Sequence, residues 1–286
     1  MTAAGAPYAG ARVGEYRRGS LVFDVVDGGP LDGERVVLLH GFPERASSWE
    51  AVAALLQAEG LRTLAPDQRG YSPRARPATR WSYRFPELVA DVAALVEQVG
   101  GPVHVVGHDW GAAVAWGLAD RRPDLVRTLT AVSVPHPRAM LRASLHGPQL
   151  ARSWYVLPFN VPGLLETLTR ARPDFFDVPL RKGGMRAEDV ERVHREILED
   201  GALPGALGWY RGAFLSPPRV GRIRVPTTYV WSDRDVALSR EAAEACGDFV
   251  DADYELVVLE GMNHWIPRQA PEALTAAVLA RIRSVG

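Results

Sequence analysis

The sequence predicts an α/β fold: a mostly parallel sheet with helices on both faces, interrupted by a helical lid insertion. Three observations predict it. Short aliphatic runs alternate with amphipathic helical stretches over the first half of the chain. That rhythm stops near position 137 and resumes at 225. Finally, 286 residues, 47% of them hydrophobic, suffice for one large α/β domain with an insertion or for two small domains.

Taken in order, Val36, Val37, Leu38 and Leu39 form a buried strand that feeds the loop His40-Gly41-Phe42-Pro43. Ser47-Ser48-Trp49-Glu50 reads as a capping box, a serine oxygen taking an orphan N–H while Glu50 reaches back. Trp49, Val52, Leu55 and Leu56 follow at helical spacing, and Gly60 ends that helix. Residues 62–66 give a second strand, and Asp67-Gln68-Arg69-Gly70-Tyr71 a polar loop. Leu88, Val92, Leu95, Val96 and Val99 mark one face of a second helix, entered at Pro86 and stopped by Gly100-Gly101. Residues 103–106 are a third strand, 112–119 a third helix and 125–134 a fourth strand. From 137 to 224 the chain is rich in Pro, Arg and aromatics, with helical pieces such as Val190, Val193 and Ile197. Residues 225–231 and 255–259 restore the strands, and a helix over 271–282 closes the chain. Open parallel sheets bind ligands at the C-terminal edge of their strands, so the insertion is expected there as a lid.

Composition narrows the function classes. Basic and acidic residues are interspersed and the formal net charge is −1, so neither a nucleic-acid groove nor a polybasic membrane patch is expected. A charge so close to zero is compatible with a monomer or a homodimer. The single cysteine, Cys246, allows no intramolecular disulfide and no cysteine-based zinc site, and reads as a small buried residue. The first 14 residues lack the basic start and apolar stretch of a signal peptide. No run approaches the roughly 18 apolar residues that span a bilayer. A soluble, cytoplasmic protein is the expectation.

The chemistry sits in Gly107-His108-Asp109-Trp110-Gly111, which joins the third strand to an Ala-rich helix. Flanking glycines let such a turn hold its middle side chain up in a strained, exposed position. The usual occupant is serine; here it is Asp109. A serine that attacked saturated carbon would leave an ether, which an ordinary hydrolase does not cleave. A carboxylate leaves an ester, which water can hydrolyse to regenerate the enzyme. The alternative for Asp109 is a plain N-cap of the helix that follows.

Company in the right order favours the nucleophile. His264, in Gly261-Met262-Asn263-His264-Trp265, lies between the last strand and the last helix, at the sheet edge expected for Asp109. Asp235 follows the preceding strand and would orient that base, with Asp233 as its rival. Backbone N–H groups of Phe42 and Trp110 are the candidate oxyanion donors. His194 reads as packing on a lid helix, and His40 and His108 as loop supports. His104, His136 and His146 carry no chemical signal, and no cluster has metal-ligand spacing, so neither metal nor cofactor is expected.

Together, His40-Gly41-Phe42-Pro43, Gly107-His108-Asp109-Trp110-Gly111, Asp235 and His264 resemble the α/β-hydrolase-fold epoxide hydrolases, from about Arg12 to the end. The resemblance implies an eight-stranded sheet, core parts at 1–136 and 225–286, and a helical cap at 137–224. It also implies hydrolysis of a small hydrophobic epoxide by water. Haloalkane dehalogenases share the fold and often the Asp-Trp pair, so the leaving group has to decide. An epoxide oxygen leaves as a basic alkoxide and needs an acid. In the epoxide hydrolases two lid tyrosines supply it, and Ser153-Trp154-Tyr155 and Gly208-Trp209-Tyr210-Arg211 resemble their motifs. Tyr155 and Tyr210 are the candidates, with Phe42, Trp110, Trp154 and Trp265 against the substrate. Trp154, Trp209 and Trp110 would be the halide donors of the dehalogenase alternative, but Phe at 42 is the usual epoxide-hydrolase choice. A ligand sensor retaining the fold is disfavoured because no member of the constellation is missing, and an ester hydrolase because no G-x-S-x-G is present. One departure stands out: where the family commonly has an aromatic and then Phe-Gln, this chain has Pro158-Phe159-Asn160. Pro158 removes a donor and fixes φ, so a different lid bend is expected there.

Overall fold

The computed structural model describes residues 10–146, 149, 156–172 and 174–286. Eight strands make one sheet: β1 (Glu15–Arg18), β2 (Leu21–Gly28), β3 (Arg35–Leu39), β4 (Arg62–Pro66), β5 (Val103–His108), β6 (Val126–Val132), β7 (Thr227–Ser232) and β8 (Tyr254–Leu259). Their order is β1-β2-β4-β3-β5-β6-β7-β8. The pairs β1–β2 and β2–β4 are antiparallel and the rest parallel.

The aliphatic runs alternate between two cores because successive strand residues face opposite ways. Val36, Leu38, Val106, Val132 and Val230 pack with α1 (Glu50–Ala58) and the closing helix Pro271–Arg283. Val37, Leu39, Val105, Leu129 and Tyr229 face the other core, with α2 (Phe85–Val99) and α3 (Trp110–Arg121). The expected entry of α2 at Pro86 and its stop at Gly100 hold, Gly100 standing in the left-handed region at φ 83°.

Two local expectations are corrected and one edge of the sheet is added. No capping box forms at 47–50: a 3-10 turn, Ala46–Trp49, precedes α1, and neither start has a side-chain cap. Ser48 Oγ instead donates to the Arg45 carbonyl at 2.8 Å, and Ser47 Oγ to Glu196 at 2.7 Å, so a local carbonyl and a tertiary carboxylate take the two hydroxyls. The fourth strand is shorter than 125–134, since Leu125 belongs to a turn and Ser133 turns to φ 66°. Finally, β1 and β2, which the alternation did not reveal, add the antiparallel edge.

Between β6 and β7 the described residues form α4 (Pro137–His146), α5 (Val156–Phe159), α6 (Leu164–Ala171), α7 (Asp174–Lys182), α8 (Ala187–Val193) and α9 (Leu203–Leu215). A π turn, His194–Glu199, continues α8. Helix α9 rests directly on the core: a Cβ on Gly205 would lie 2.3 Å from the Gly70 carbonyl oxygen. Among the described residues no helix is long and apolar enough to cross a membrane.

Candidate active site

Strand β5 ends and α3 begins at Asp109, whose backbone is held at φ 52°, ψ −121°, a conformation costly for any residue with a Cβ. The flanking glycines make that turn possible. A Cβ on Gly107 would sit 2.3 Å from the Gly111 carbonyl oxygen, and one on Gly111 2.1 Å from that of Leu39. The Asp109 side chain does not cap α3. Its Oδ1 accepts the Phe42 N–H at 2.8 Å, and its Oδ2 lies 3.6 Å from His264 Nε2.

His264 follows β8 and sits at the same sheet edge. Its Nδ1 donates to Asp235 Oδ2 at 2.7 Å. Asp235 is fixed in turn by the Ala237 and Leu238 N–H groups, at 2.8 and 3.1 Å from its Oδ1. The rival Asp233 is turned away and accepts the Gly261 N–H at 2.7 Å. Burial opposes charge on His264, yet the carboxylates of Asp235 and Asp109 outweigh it and hold the imidazole well above its ordinary pKa. Burial likewise raises Asp109, but His264, His108 and the Phe42 N–H outweigh it and keep the carboxyl below its usual range.

Three supporting residues escaped the sequence reading. The His264 carbonyl accepts from His108 Nε2 at 2.9 Å and from Ser133 Oγ at 3.2 Å. The other nitrogen of His108 faces Glu44 Oε2 at 3.6 Å. Glu44 is buried and accepts from Arg192 at 3.0 Å. Burial would raise its carboxyl, but His108 and Arg192 prevail and hold it at about 2. Glu44 directly follows the His40–Pro43 motif, which was the one available signal; a lone Glu in a loop otherwise reads as solvated. His40 receives the Gln68 N–H, His104 meets Thr128, His136 meets the Gly221 carbonyl and His194 pairs with Asp177.

Aromatic rings line the carboxylate. Phe42 lies 5.2 Å from Tyr210, 5.4 Å from Phe159 and 6.0 Å from Phe176, and Trp110 lies 5.0 Å from Tyr210. Trp265 packs edge-on to His264 at 5.1 Å. Trp209 is buried with its N–H donated to the Arg69 carbonyl at 2.6 Å. Tyr155 and Trp154 lie outside the described residues, as does the side chain of His146. Pro158 falls within the single turn α5, where the Asn160 side chain donates back to the Val156 carbonyl at 2.9 Å. A cavity of about 390 Å³ opens elsewhere, beside Arg80, Tyr83 and Gly208. Among the described residues no group of three or more His, Cys, Asp or Glu side chains is placed to hold a metal ion.

The strand order, the helices on both faces and the turn at Asp109 define an α/β hydrolase. Residues 36–278 match the model of the alpha/beta hydrolase family, and the chain belongs to it. The AB hydrolase superfamily protein YfhM of Bacillus subtilis is 33% identical over 275 residues, covering 92% of this chain and 95% of that protein. Epoxide hydrolase 3 of Xenopus tropicalis is 30% identical over 270 residues, 90% of this chain and 73% of its own. A solved structure from work on novel epoxide hydrolases in hot-environment metagenomes matches with a TM-score of 0.80 at 28% identity, covering 92% and 95% of the two chains.

Proposed function

We propose that this hydrolase opens an epoxide to a vicinal diol through an ester on Asp109. One Asp109 oxygen attacks an epoxide carbon and the carbon–oxygen bond of the ring breaks. Tyr210, with Tyr155, holds the departing oxygen and gives it a proton. His264, oriented by Asp235, then takes a proton from water. The resulting hydroxide adds to the ester carbonyl, whose oxygen the Phe42 and Trp110 N–H groups stabilise. Collapse of that adduct expels the diol oxygen, which takes the adduct's hydroxyl proton; the proton on His264 restores the tyrosine, and Asp109 keeps one oxygen from water. Residues 137–224 act as a cap over core parts 1–136 and 225–286. A small hydrophobic epoxide and water are the reactants, and the cytoplasm is the setting.

The observation that carries this reading is the Asp109 carboxylate held between the Phe42 N–H and the His264–Asp235 pair. Relatives named as epoxide hydrolases support the substrate class. The dehalogenase alternative is weakened because the Trp209 N–H is already taken by Arg69. Single turnover in heavy-oxygen water tests the route: the first diol should carry unlabelled oxygen from Asp109, and label appearing at once would sink it. A panel of aryl and alkyl epoxides beside bromoalkanes tests the substrate class. Diol formation is expected to dominate, and Tyr210→Phe should lower it at least tenfold while leaving any halide release unchanged.

A further inference from the structure

We propose that Arg192 is a positioning residue that sets the Phe42 N–H from the cap side, so that ester hydrolysis depends on how the cap is seated. The inference rests on the reading above. Phe42 lies in a tight turn closed by the Glu44 N–H on the Gly41 carbonyl at 3.0 Å. From the cap, Arg192 holds the end of that turn and the residues just after it: one guanidinium nitrogen donates to Glu44 Oε1 at 3.0 Å and the other to Ser47 Oγ at 3.1 Å. Arg192 is itself braced by Asp189 at 3.1 Å, which also accepts from Arg268 at 2.8 Å. The Glu44 and Asp189 side chains are 1% and 2% exposed and that of Arg192 10%, so solvent hardly competes for these bonds.

The rest of the helix faces the same way. Arg192 lies on α8, Glu196 in the π turn that continues it, and Asp200 directly after that turn. Glu196 accepts from Ser47 and Asp200 from Arg45, so all three side chains reach residues 44–47. A planar guanidinium holding two groups fixes distance and angle together, which apolar packing alone does not.

The two half-reactions use the Phe42 N–H differently. During alkylation Asp109 loses charge, so a donor on Oδ1 favours the starting carboxylate at least as much as the transition state. During hydrolysis charge grows on that same oxygen, and a fixed donor lowers the barrier. A loosened loop should therefore slow hydrolysis and spare alkylation.

Rapid-quench single turnover with styrene oxide separates the steps. Arg192→Met should cut ester hydrolysis tenfold or more with alkylation within twofold of wild type, and Arg192→Lys should restore part of the loss. Ser47→Ala removes one arm of the grip without leaving a buried charge, and should show a smaller loss in the same step; it carries the test if Arg192→Met does not fold. Without any substrate, the Phe42 amide proton should move upfield in both Arg192→Met and Ser47→Ala. Equal loss in both steps, or an unmoved amide signal, overturns the role of Arg192. A wild type that forms no ester with any epoxide would instead overturn the functional reading, while the amide signal still judges Arg192.

Discussion

At the scale of single residues, the side chains aligned on one reaction are the ones whose positions the sequence made legible. Asp109, Asp235 and His264 stand in a chain order that follows from the order of the strands, and each lies in the loop or turn that follows a strand at one edge. Glu44, Ser133 and Arg192 were illegible because they act through a backbone carbonyl or through burial, neither of which leaves a spacing pattern. The geometry at His264 has two consequences. On the proposed route, removing the His264 base leaves the ester without hydrolysis at a useful rate, so His264→Gln should accumulate it. Intact mass of the variant after exposure to epoxide should rise by the mass of one substrate, with turnover reduced by about 10²–10⁴. The second consequence concerns acid. Asp109 lies below its ordinary pKa and stays charged, as the proposed nucleophile must, until pH falls through that lowered value. His264 lies above its own, and even after Asp109 is esterified Asp235 still favours its proton. Hydrolysis needs that proton gone. Lowering the pH should therefore slow hydrolysis first, and quenched reactions should show the ester building up before alkylation fails.

Elements were legible where burial and periodicity agree. The parallel strands β3, β5, β6 and β7 are almost wholly buried on both faces, and α2 carries its apolar face between Pro86 and Gly100. Strand β1 reads Glu-Tyr-Arg-Arg at an exposed sheet edge, where a single buried tyrosine gives no alternation to detect. The serines at 47 and 48 carried a helix-start pattern that a local carbonyl, for Ser48, and a tertiary carboxylate, for Ser47, overrode. Helix α9 shows what its composition concealed. Three of its glycines look like poor helix residues, costing about 1 kcal/mol each against alanine. In the fold, Gly205 crosses Gly70 and Gly212 crosses the Tyr83 carbonyl at distances no Cβ permits. Gly205→Ala must push α9 outward, and Tyr210 with it. Overpacking of this kind costs about 1–3 kcal/mol. Melting should fall by about 5 °C at roughly 2–4 °C per kcal/mol, and epoxide turnover should drop further than Trp209 fluorescence or helix content suggests.

For the whole molecule, the insertion and the sheet meet through apolar rings over Asp109 and through a buried ionic seam behind it. Three of the sequence motifs meet in those rings, Phe42 and Trp110 packing on Tyr210 at 5.2 and 5.0 Å. The seam was hidden, because Glu44, Asp189, Arg192 and Arg268 are scattered among many surface charges in the sequence. Its energetic sign is fixed by Glu44. The carboxyl is held at about 2 against an ordinary 4.5, so the unfolded chain binds its proton more readily than the folded one. Stability from this group is therefore fully present above about pH 4.5 and is lost as pH falls towards 2. A shift of that size is worth at most about 3 kcal/mol, the Arg192 and His108 contacts sharing it. Glu44→Gln cannot be titrated, so its urea midpoint should fall less steeply than wild type between pH 5 and pH 3, while starting lower at pH 7 because Arg192 loses its charged partner. Parallel acid limbs for the two proteins would show that the seam contributes nothing to the union of insertion and sheet.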